Sequence, residues 1–126
     1  MKDGIRIMVV DDESIVGERL KRLLEKEGYN VENFIEGSTA IHELGEKNFD
    51  IIITDLKMEG VDGIKILEAA KKKNPDIKVI IITGFGKKET AEEAFEKGAF
   101  DFVIKPFKLE ELKQVIKKAE AELTKK

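Results

Sequence analysis

Five short runs rich in hydrophobic residues recur along the chain, and an amphipathic segment follows each of them. They cover residues 5–10, 30–34, 50–54, 79–83 and 102–104. Continuous apolar runs are typical of strands that are covered on both faces, whereas the shorter alternating run 30–34 is typical of a sheet edge. The pattern therefore predicts five strands, of which the first, third and fourth are the most apolar.

The segments between these runs carry apolar residues at helical spacing. In the first segment Ile15, Leu20, Leu23 and Leu24 form the predicted apolar stripe, and Gly28 stands where the helix would end. Four more helices are predicted over residues 38–46, 63–73, 87–97 and 109–123. Strands that alternate with helices predict an α/β fold with a parallel sheet and right-handed crossovers. Placing the most apolar strands centrally agrees with strand order 2-1-3-4-5, with a switch point between the first and third strands.

Composition limits the function classes. A chain of 126 residues fits one domain, predicted here over residues 1–126, and the lack of cysteine excludes disulfides, thiolate metal sites and cysteine nucleophiles. No apolar run approaches the roughly 20 residues of a membrane span, and the N-terminus lacks a secretion signal, which predicts a cytoplasmic protein. The net charge of −3 gives no reason to expect nucleic-acid binding. The 39% of charged residues predicts a thermophilic source.

Polar side chains stand where four of the five predicted strands end. They are Asp11 and Asp12, Asp55, Thr83, and Lys105. The carboxyl ends of parallel strands share one edge of the sheet, which is where ligands bind in open α/β sheets. Each aspartate alone could be a helix cap or a loop residue, but the combination suits a divalent cation, Mg²⁺, and a phosphoryl group.

The combination of motifs resembles the receiver domain of two-component response regulators, over essentially the whole chain. The motifs are Asp11-Asp12-Glu13, Asp55-Leu-Lys-Met58 with Gly63 eight positions after Asp55, Thr83-Gly84, and Phe102-Val-Ile-Lys105-Pro106-Phe107. The resemblance implies a flavodoxin-like (βα)5 doubly wound parallel sheet. It also implies a phosphorylation-activated signalling switch, not an enzyme, although such a domain assists its own phosphotransfer and dephosphorylation.

The resemblance further implies a role for each site residue. Asp55 would accept a phosphoryl group, and Lys105 would contact the phosphoryl oxygens. Thr83 would move toward the phosphoryl group and Phe102 would turn inward, changing the surface of helix 4, strand 5 and helix 5. The implied Mg²⁺ ligands are Asp11, Asp12, Asp55 and the backbone carbonyl of Lys57.

The implied partners are a sensor histidine kinase or a histidine phosphotransfer protein as donor, and a downstream target or output domain. A homodimer formed on phosphorylation is also expected, with no membrane or direct nucleic-acid contact. Two positions depart from the family pattern: Glu59 stands where proline is common, and Gly84 where alanine is common. The Lys105-Pro106 bond is a candidate cis peptide.

Two other functions remain open at this stage. One is a Mg²⁺-dependent phosphohydrolase with an aspartyl-phosphate intermediate, because Asp11-Asp12-Glu13 loosely resembles the nucleophile motif of haloacid-dehalogenase-like phosphatases. The other is a binding module that keeps the fold but signals without phosphorylation. The full set of five strand-end side chains favours the receiver over both.

Overall fold

A computed structural model describes residues 4–84 and 88–124 of the chain. Strands and helices alternate throughout, as predicted, and the bounds differ from the predicted ones by only a few residues. In chain order they are β1 Arg6–Val10, α1 Ser14–Lys26, β2 Asn30–Phe34, α2 Gly37–Glu46, β3 Ile51–Asp55, α3 Gly63–Lys73, β4 Lys78–Thr83, α4 Lys88–Glu96, β5 Asp101–Ile104 and α5 Leu109–Thr124. Lys87, the predicted first residue of α4, lies outside the described residues.

The five strands form one parallel sheet in the order β2-β1-β3-β4-β5. This confirms the predicted α/β fold with a doubly wound, flavodoxin-like sheet. Strand β1 lies between β2 and β3. The chain places β2 on one side of β1 and the later strands β3, β4 and β5 on the other. The crevice between the ends of β1 and β3 is consequently the switch point at which such sheets bind ligands.

Helices cover both faces of the sheet because successive side chains of each strand point to opposite sides. In β1, Ile7 and Val9 pack with α1 and α5, whereas Met8 and Val10 pack with α2, α3 and α4. All four of these side chains are fully buried. The double covering explains why the central strands are continuous apolar runs. Within residues 4–84 and 88–124, no helix combines the length and apolar character needed to cross a membrane.

Glycines follow two of the helices, including Gly28, which the sequence predicted to end α1. Gly28 after α1 and Gly98 after α4 have φ angles of 99° and 103°, in the left-handed region that glycine adopts without steric cost. One expectation for α1 is wrong. Ile15, predicted to lie on the apolar stripe, is 76% exposed, whereas Leu20 and Leu24 are buried. Ile15 lies in the first turn of the helix, at the carboxyl edge of the sheet, where the core no longer covers it.

Candidate functional site

The strand ends bring the predicted site residues to one edge of the sheet. Asp55 and Thr83 are the last residues of β3 and β4, and Asp11 and Lys105 directly follow β1 and β5. Val10 pairs with Thr54, and Thr83 pairs with Ile104, so neighbouring strands end at nearly the same level. The parallel register therefore brings residues together that are far apart in the sequence.

Three carboxylates form the acidic part of the site. One carboxylate oxygen from each of Asp11, Asp12 and Asp55 lies within 4.8 Å of the other two. Asp11 is completely buried and Asp55 is 7% exposed, while Asp12 is exposed. The backbone N–H of Glu13 donates to Oδ1 of Asp11 at 2.9 Å and so fixes the orientation of that carboxylate.

Lys105 joins two of these carboxylates. Its Nζ donates to Oδ2 of Asp11 at 2.9 Å and to Oδ2 of Asp55 at 3.1 Å. The backbone N–H of Lys105 also donates to the carbonyl of Thr83 at 2.7 Å, which extends the strand ladder to the site. The bond between Lys105 and Pro106, a candidate cis peptide from the sequence, is cis. We call Asp11, Asp12, Asp55 and Lys105 the carboxyl-end site.

Burial and charge shift the pKa values of two members of this site. Burial raises the pKa of the Asp55 carboxyl above its usual value, and Lys105 only partly offsets this increase. Burial alone would lower the pKa of the Lys105 ammonium, but its hydrogen bonds and charge interactions with Asp11 and Asp55 outweigh burial and raise it. Lys105 is therefore a permanent cation beside carboxylates that repel one another.

The acidic residues fit a divalent cation by their chemistry. Mg²⁺ is bound through oxygen ligands, commonly one or two carboxylates together with waters and phosphate oxygens. Like charges at this distance are unfavourable unless a cation compensates them, and Lys105 contacts only two of the three carboxylates. Asp12, the exposed member of the cluster, is the carboxylate that Lys105 does not contact in the described hydrogen bonds and ion pairs.

The remaining predicted residues lie beside this cluster. Thr83 is completely buried at the end of β4, and Phe102 is half-buried on β5, where it packs against the core formed with α2, α3 and α4. Lys57 is exposed in the connection between β3 and α3. Thr83 thus lies at the end of β4, and Phe102 lies within the adjacent strand β5, where it pairs with Ile81.

Two features of the site were not assigned a role from the sequence. Oε1 of Glu13 lies 3.7 Å from Nζ of Lys105, so a third carboxylate shares this lysine. The position of Glu13 directly after Asp11 and Asp12 was the feature of the sequence that could have indicated this contact. The second feature is an apolar cleft of about 510 Å³ next to Lys105. It is lined by Ile15, Val16, Arg19, Leu20, Leu23, Lys105, Pro106, Phe107 and Leu109.

Comparison with known proteins identifies the family. The model of the response regulator receiver domain matches residues 7–117 of the chain. The chain belongs to the response regulator receiver family. This receiver is 40% identical over 119 residues to the transcriptional regulatory protein ZraR of Salmonella typhimurium, an alignment that covers 94% of this chain and 27% of ZraR. The receiver thus spans about a quarter of the length of that relative.

Solved receiver structures share the fold over nearly the whole chain. The beryllofluoride-activated NtrC4 receiver domain dimer is 37% identical to this receiver with a TM-score of 0.87, covering 97% of this chain and 99% of that chain. The response regulator TrrA of Thermotoga maritima, solved in complex with Mg²⁺-BeF, is 33% identical with a TM-score of 0.81. That match covers 91% of this chain and 98% of TrrA.

Proposed function

We propose that this receiver is a phosphorylation-activated switch in which Asp55 accepts a phosphoryl group from a protein phosphohistidine. The observation that carries the proposal is the contact of Lys105 with both Asp11 and Asp55, at the strand ends that also present Asp12. In the proposed transfer, the P–N bond of the donor breaks as an Asp55 carboxylate oxygen forms a P–O bond. The donor imidazole leaves with the electron pair. Water later attacks phosphorus, releases inorganic phosphate and restores Asp55.

The side chains of the carboxyl-end site suit this chemistry because phosphoryl transfer depends mainly on positioning and charge neutralisation. Lys105 would turn from the carboxylate of Asp55 to the phosphoryl oxygens. The proposed Mg²⁺ ligands are Asp11, Asp12, Asp55 and the backbone carbonyl of Lys57. When bound, Mg²⁺ would neutralise the charge that develops on the phosphoryl oxygens.

The signal would pass from Asp55 to the adjacent strands. A phosphoryl group adds nearly two negative charges and three acceptor oxygens. The hydroxyl of Thr83 would donate to one of them, and Phe102 would move into the space that Thr83 leaves. Phosphorylation would shift this equilibrium by its difference in interaction with the two states. The altered surface would be that of α4, β5 and α5, where Phe95 is 47% exposed and Ile104 is 46% exposed.

Partners and setting follow from the same proposal. A sensor histidine kinase or a histidine phosphotransfer protein would supply the phosphoryl group. The apolar cleft beside Lys105, with its exposed Ile15, supports a protein donor because a small phosphate ester needs no such surface. We propose residues 1–126 as one receiver domain in the cytoplasm that acts on an output domain or a separate target. The exposed Phe95 and Ile104 would form a homodimer on phosphorylation.

Incubation with acetyl phosphate and Mg²⁺, followed by intact-mass measurement, tests the proposal. We expect one added phosphoryl group, lost in Asp55→Ala and in the presence of a chelator. Continuous release of phosphate from small esters, without an adduct on Asp55, would instead support the phosphohydrolase. Failure of both phosphorylation and beryllofluoride binding would support a module that signals without phosphorylation.

A further inference from the structure

Residues 56–62 connect β3 to α3. This connection begins directly after Asp55 and ends at Gly63, the first residue of α3. A Cβ atom on Gly63 would lie only 2.4 Å from the carbonyl oxygen of Asp55 and 3.0 Å from Cα of Leu56. The N–H of Gly63 donates to the carbonyl of Leu56 at 3.0 Å. The first turn of α3 is therefore held against the backbone of Asp55 itself.

A second glycine holds the same connection from another helix. Gly37, the first residue of α2, packs against Val61: an added Cβ would lie 2.3 Å from the carbonyl oxygen of Val61 and 2.9 Å from its Cβ. Gly37 is not among the positive-φ glycines of the described chain, so its backbone conformation does not require glycine. The close approach does, because a backbone oxygen cannot rotate away as the end of a side chain can.

We propose that Gly37 is a positioning residue for the phosphorylation site. Its lack of a side chain lets the start of α2 hold Val61, and Val61 in turn fixes the 56–62 connection that carries Lys57. This inference rests on the proposed function, since it assigns Gly37 to the reaction proposed for Asp55. It adds to the site a residue of α2, a helix that supplies none of the carboxylates or the lysine.

The effect of losing this contact is expected to fall on the connection and not on the carboxylates. Asp55 is held in β3 by its pairing with Ile82 of β4, and Leu56 N–H donates to the carbonyl of Ile82 at 3.1 Å. The residues beyond Leu56 have no strand partner of this kind within the described hydrogen bonds. A methyl group on Gly37 would therefore displace Val61 and the connection, while the acceptor carboxylate stays in place.

The experiment compares Gly37→Ala with wild type and with Gly45→Ala. It separates an effect on the 56–62 connection from a general effect of alanine in α2. Gly45 lies on the same helix, and no atom lies within 4 Å of an added Cβ there. Two quantities are measured on each protein: the affinity for Mg²⁺ alone by calorimetry, and the initial rate of phosphorylation by acetyl phosphate across a Mg²⁺ titration. Thermal unfolding followed by circular dichroism gives the folded fraction.

We expect Gly37→Ala to weaken Mg²⁺ affinity about tenfold, as is common when a group that orients metal ligands is altered. The half-saturating Mg²⁺ concentration for phosphorylation should rise by the same factor, with little change in the rate at saturating Mg²⁺. Gly45→Ala should keep the wild-type midpoint and melt at a higher temperature, because alanine is the better helix former. A merely structural effect of Gly37→Ala would lower the amount of reactive protein without moving the midpoint.

A folded Gly37→Ala protein with the wild-type Mg²⁺ midpoint would overturn the inference while leaving the proposed function intact. A wild-type protein that neither binds Mg²⁺ nor becomes phosphorylated would overturn the proposed function itself. If Gly37→Ala does not fold, Val61→Gly loosens the same contact without adding an atom, because it removes the Cβ of Val61, one of the atoms nearest to position 37, and frees the backbone of the connection. It should raise the midpoint in the same direction but by less, and an unchanged midpoint there would equally reject the role of Gly37.

Discussion

The carboxyl end of the sheet gathers three carboxylates around one lysine, whereas charged residues near the amino end alternate in sign. The second group, which we call the amino-end network, consists of Arg6, Glu32, Glu43, Lys47 and Asp50. Glu32 contacts Arg6 at 3.4 Å and Lys47 at 2.8 Å, and Lys47 also contacts Glu43 at 3.1 Å. Asp50 accepts the backbone N–H of Arg6 at 2.9 Å. Each acidic group in this network therefore contacts a donor on Arg6 or Lys47.

Solvent exposure separates the two groups further. The side chains of Arg6 and Glu32 are 42% and 35% exposed, whereas those of Lys105, Asp55 and Asp11 are 21%, 10% and 0% exposed. Water screens the first group, so its ion pairs contribute little to stability. Charges in the second group have lost most of their water, so both their attractions and their repulsions are stronger. The amino-end charges are thus exposed and paired with opposite charges, whereas the carboxyl-end charges are largely desolvated and include carboxylates that repel one another.

The largest effect is expected when the single cation of the carboxyl-end site is removed. Lys105→Met leaves Asp11 and Asp55 buried without their common donor. Breaking a fully buried pair costs about 3–5 kcal/mol, and the partial exposure of Lys105 reduces the expected loss to roughly 2 kcal/mol of unfolding free energy. Chemical denaturation without Mg²⁺ measures this loss, and the rate of reaction with acetyl phosphate should also fall strongly.

Addition of Mg²⁺ sharpens this prediction. If the carboxylates bind the cation, Mg²⁺ should stabilise Lys105→Met more than wild type, because the variant has no other cation between Asp11 and Asp55. Calcium chloride at the same concentration is a useful comparison for cation size, and sodium chloride at matched ionic strength controls for screening. Equal stabilisation of both proteins by Mg²⁺ would contradict our description of the site.

A smaller effect of opposite sign is expected for Asp55→Asn. Folding raises the pKa of Asp55, so the ionised carboxylate at neutral pH favours the unfolded chain; this penalty is present above the folded-state pKa and disappears below the unfolded-state pKa. Asparagine keeps the shape and an oxygen acceptor for Lys105 but carries no charge. We expect a gain on the order of 1 kcal/mol in unfolding free energy without Mg²⁺ at neutral pH. Phosphorylation should be abolished.

The matched control for Asp55→Asn is Asp50→Asn, five residues earlier at the other end of β3. Asp50 accepts a backbone N–H from Arg6, so its replacement should not stabilise the protein. A gain in both variants would mean that general charge reduction, at a net charge of −3, explains the result. Loss of stability in Asp55→Asn would mean that the attraction of Lys105 outweighs burial and the repulsion by Asp11.

The sequence predicted most of the residues that meet at the carboxyl end of the sheet. It predicted few of the contacts at the amino end. Strand ends are visible as the points where apolar runs stop, so Asp11, Asp55, Thr83 and Lys105 could be placed on one edge from topology alone. The role of each residue came from the resemblance to receivers. The composition-based expectation of a thermophilic source stays a prediction.

Contacts that depend on the relative position of surface elements could not be predicted. Ile15 has the spacing of a core residue, but periodicity does not reveal that this residue of the first turn of α1 is left exposed. The approach of Gly37 to Val61 involves segments far apart in sequence, and no pattern within either segment indicates it. The pairing of Glu32 with Lys47 is equally invisible, because charged residues at surface positions have many alternative partners.

The smallest effect is expected in the amino-end network. Glu32→Gln removes the charge that faces both Arg6 and Lys47 but leaves the side chain its size and polarity. Because all three groups are partly exposed, we expect the melting temperature to fall by about 2 °C or less. The difference should shrink further at high salt, since screening already weakens the pairs in wild type. The Mg²⁺ midpoint and the rate of phosphorylation should not change.

Lys105→Met supplies the contrast for this result, measured in the same buffers. Its larger destabilisation should persist at high salt, because buried or partly buried charges are screened much less than exposed ones. If Glu32→Gln destabilised the protein as much as Lys105→Met does, exposure would not separate the two groups of charges. If Glu32→Gln altered the Mg²⁺ midpoint, the two ends of the sheet would be coupled through β1 and β2, and the two groups of charges would not act independently.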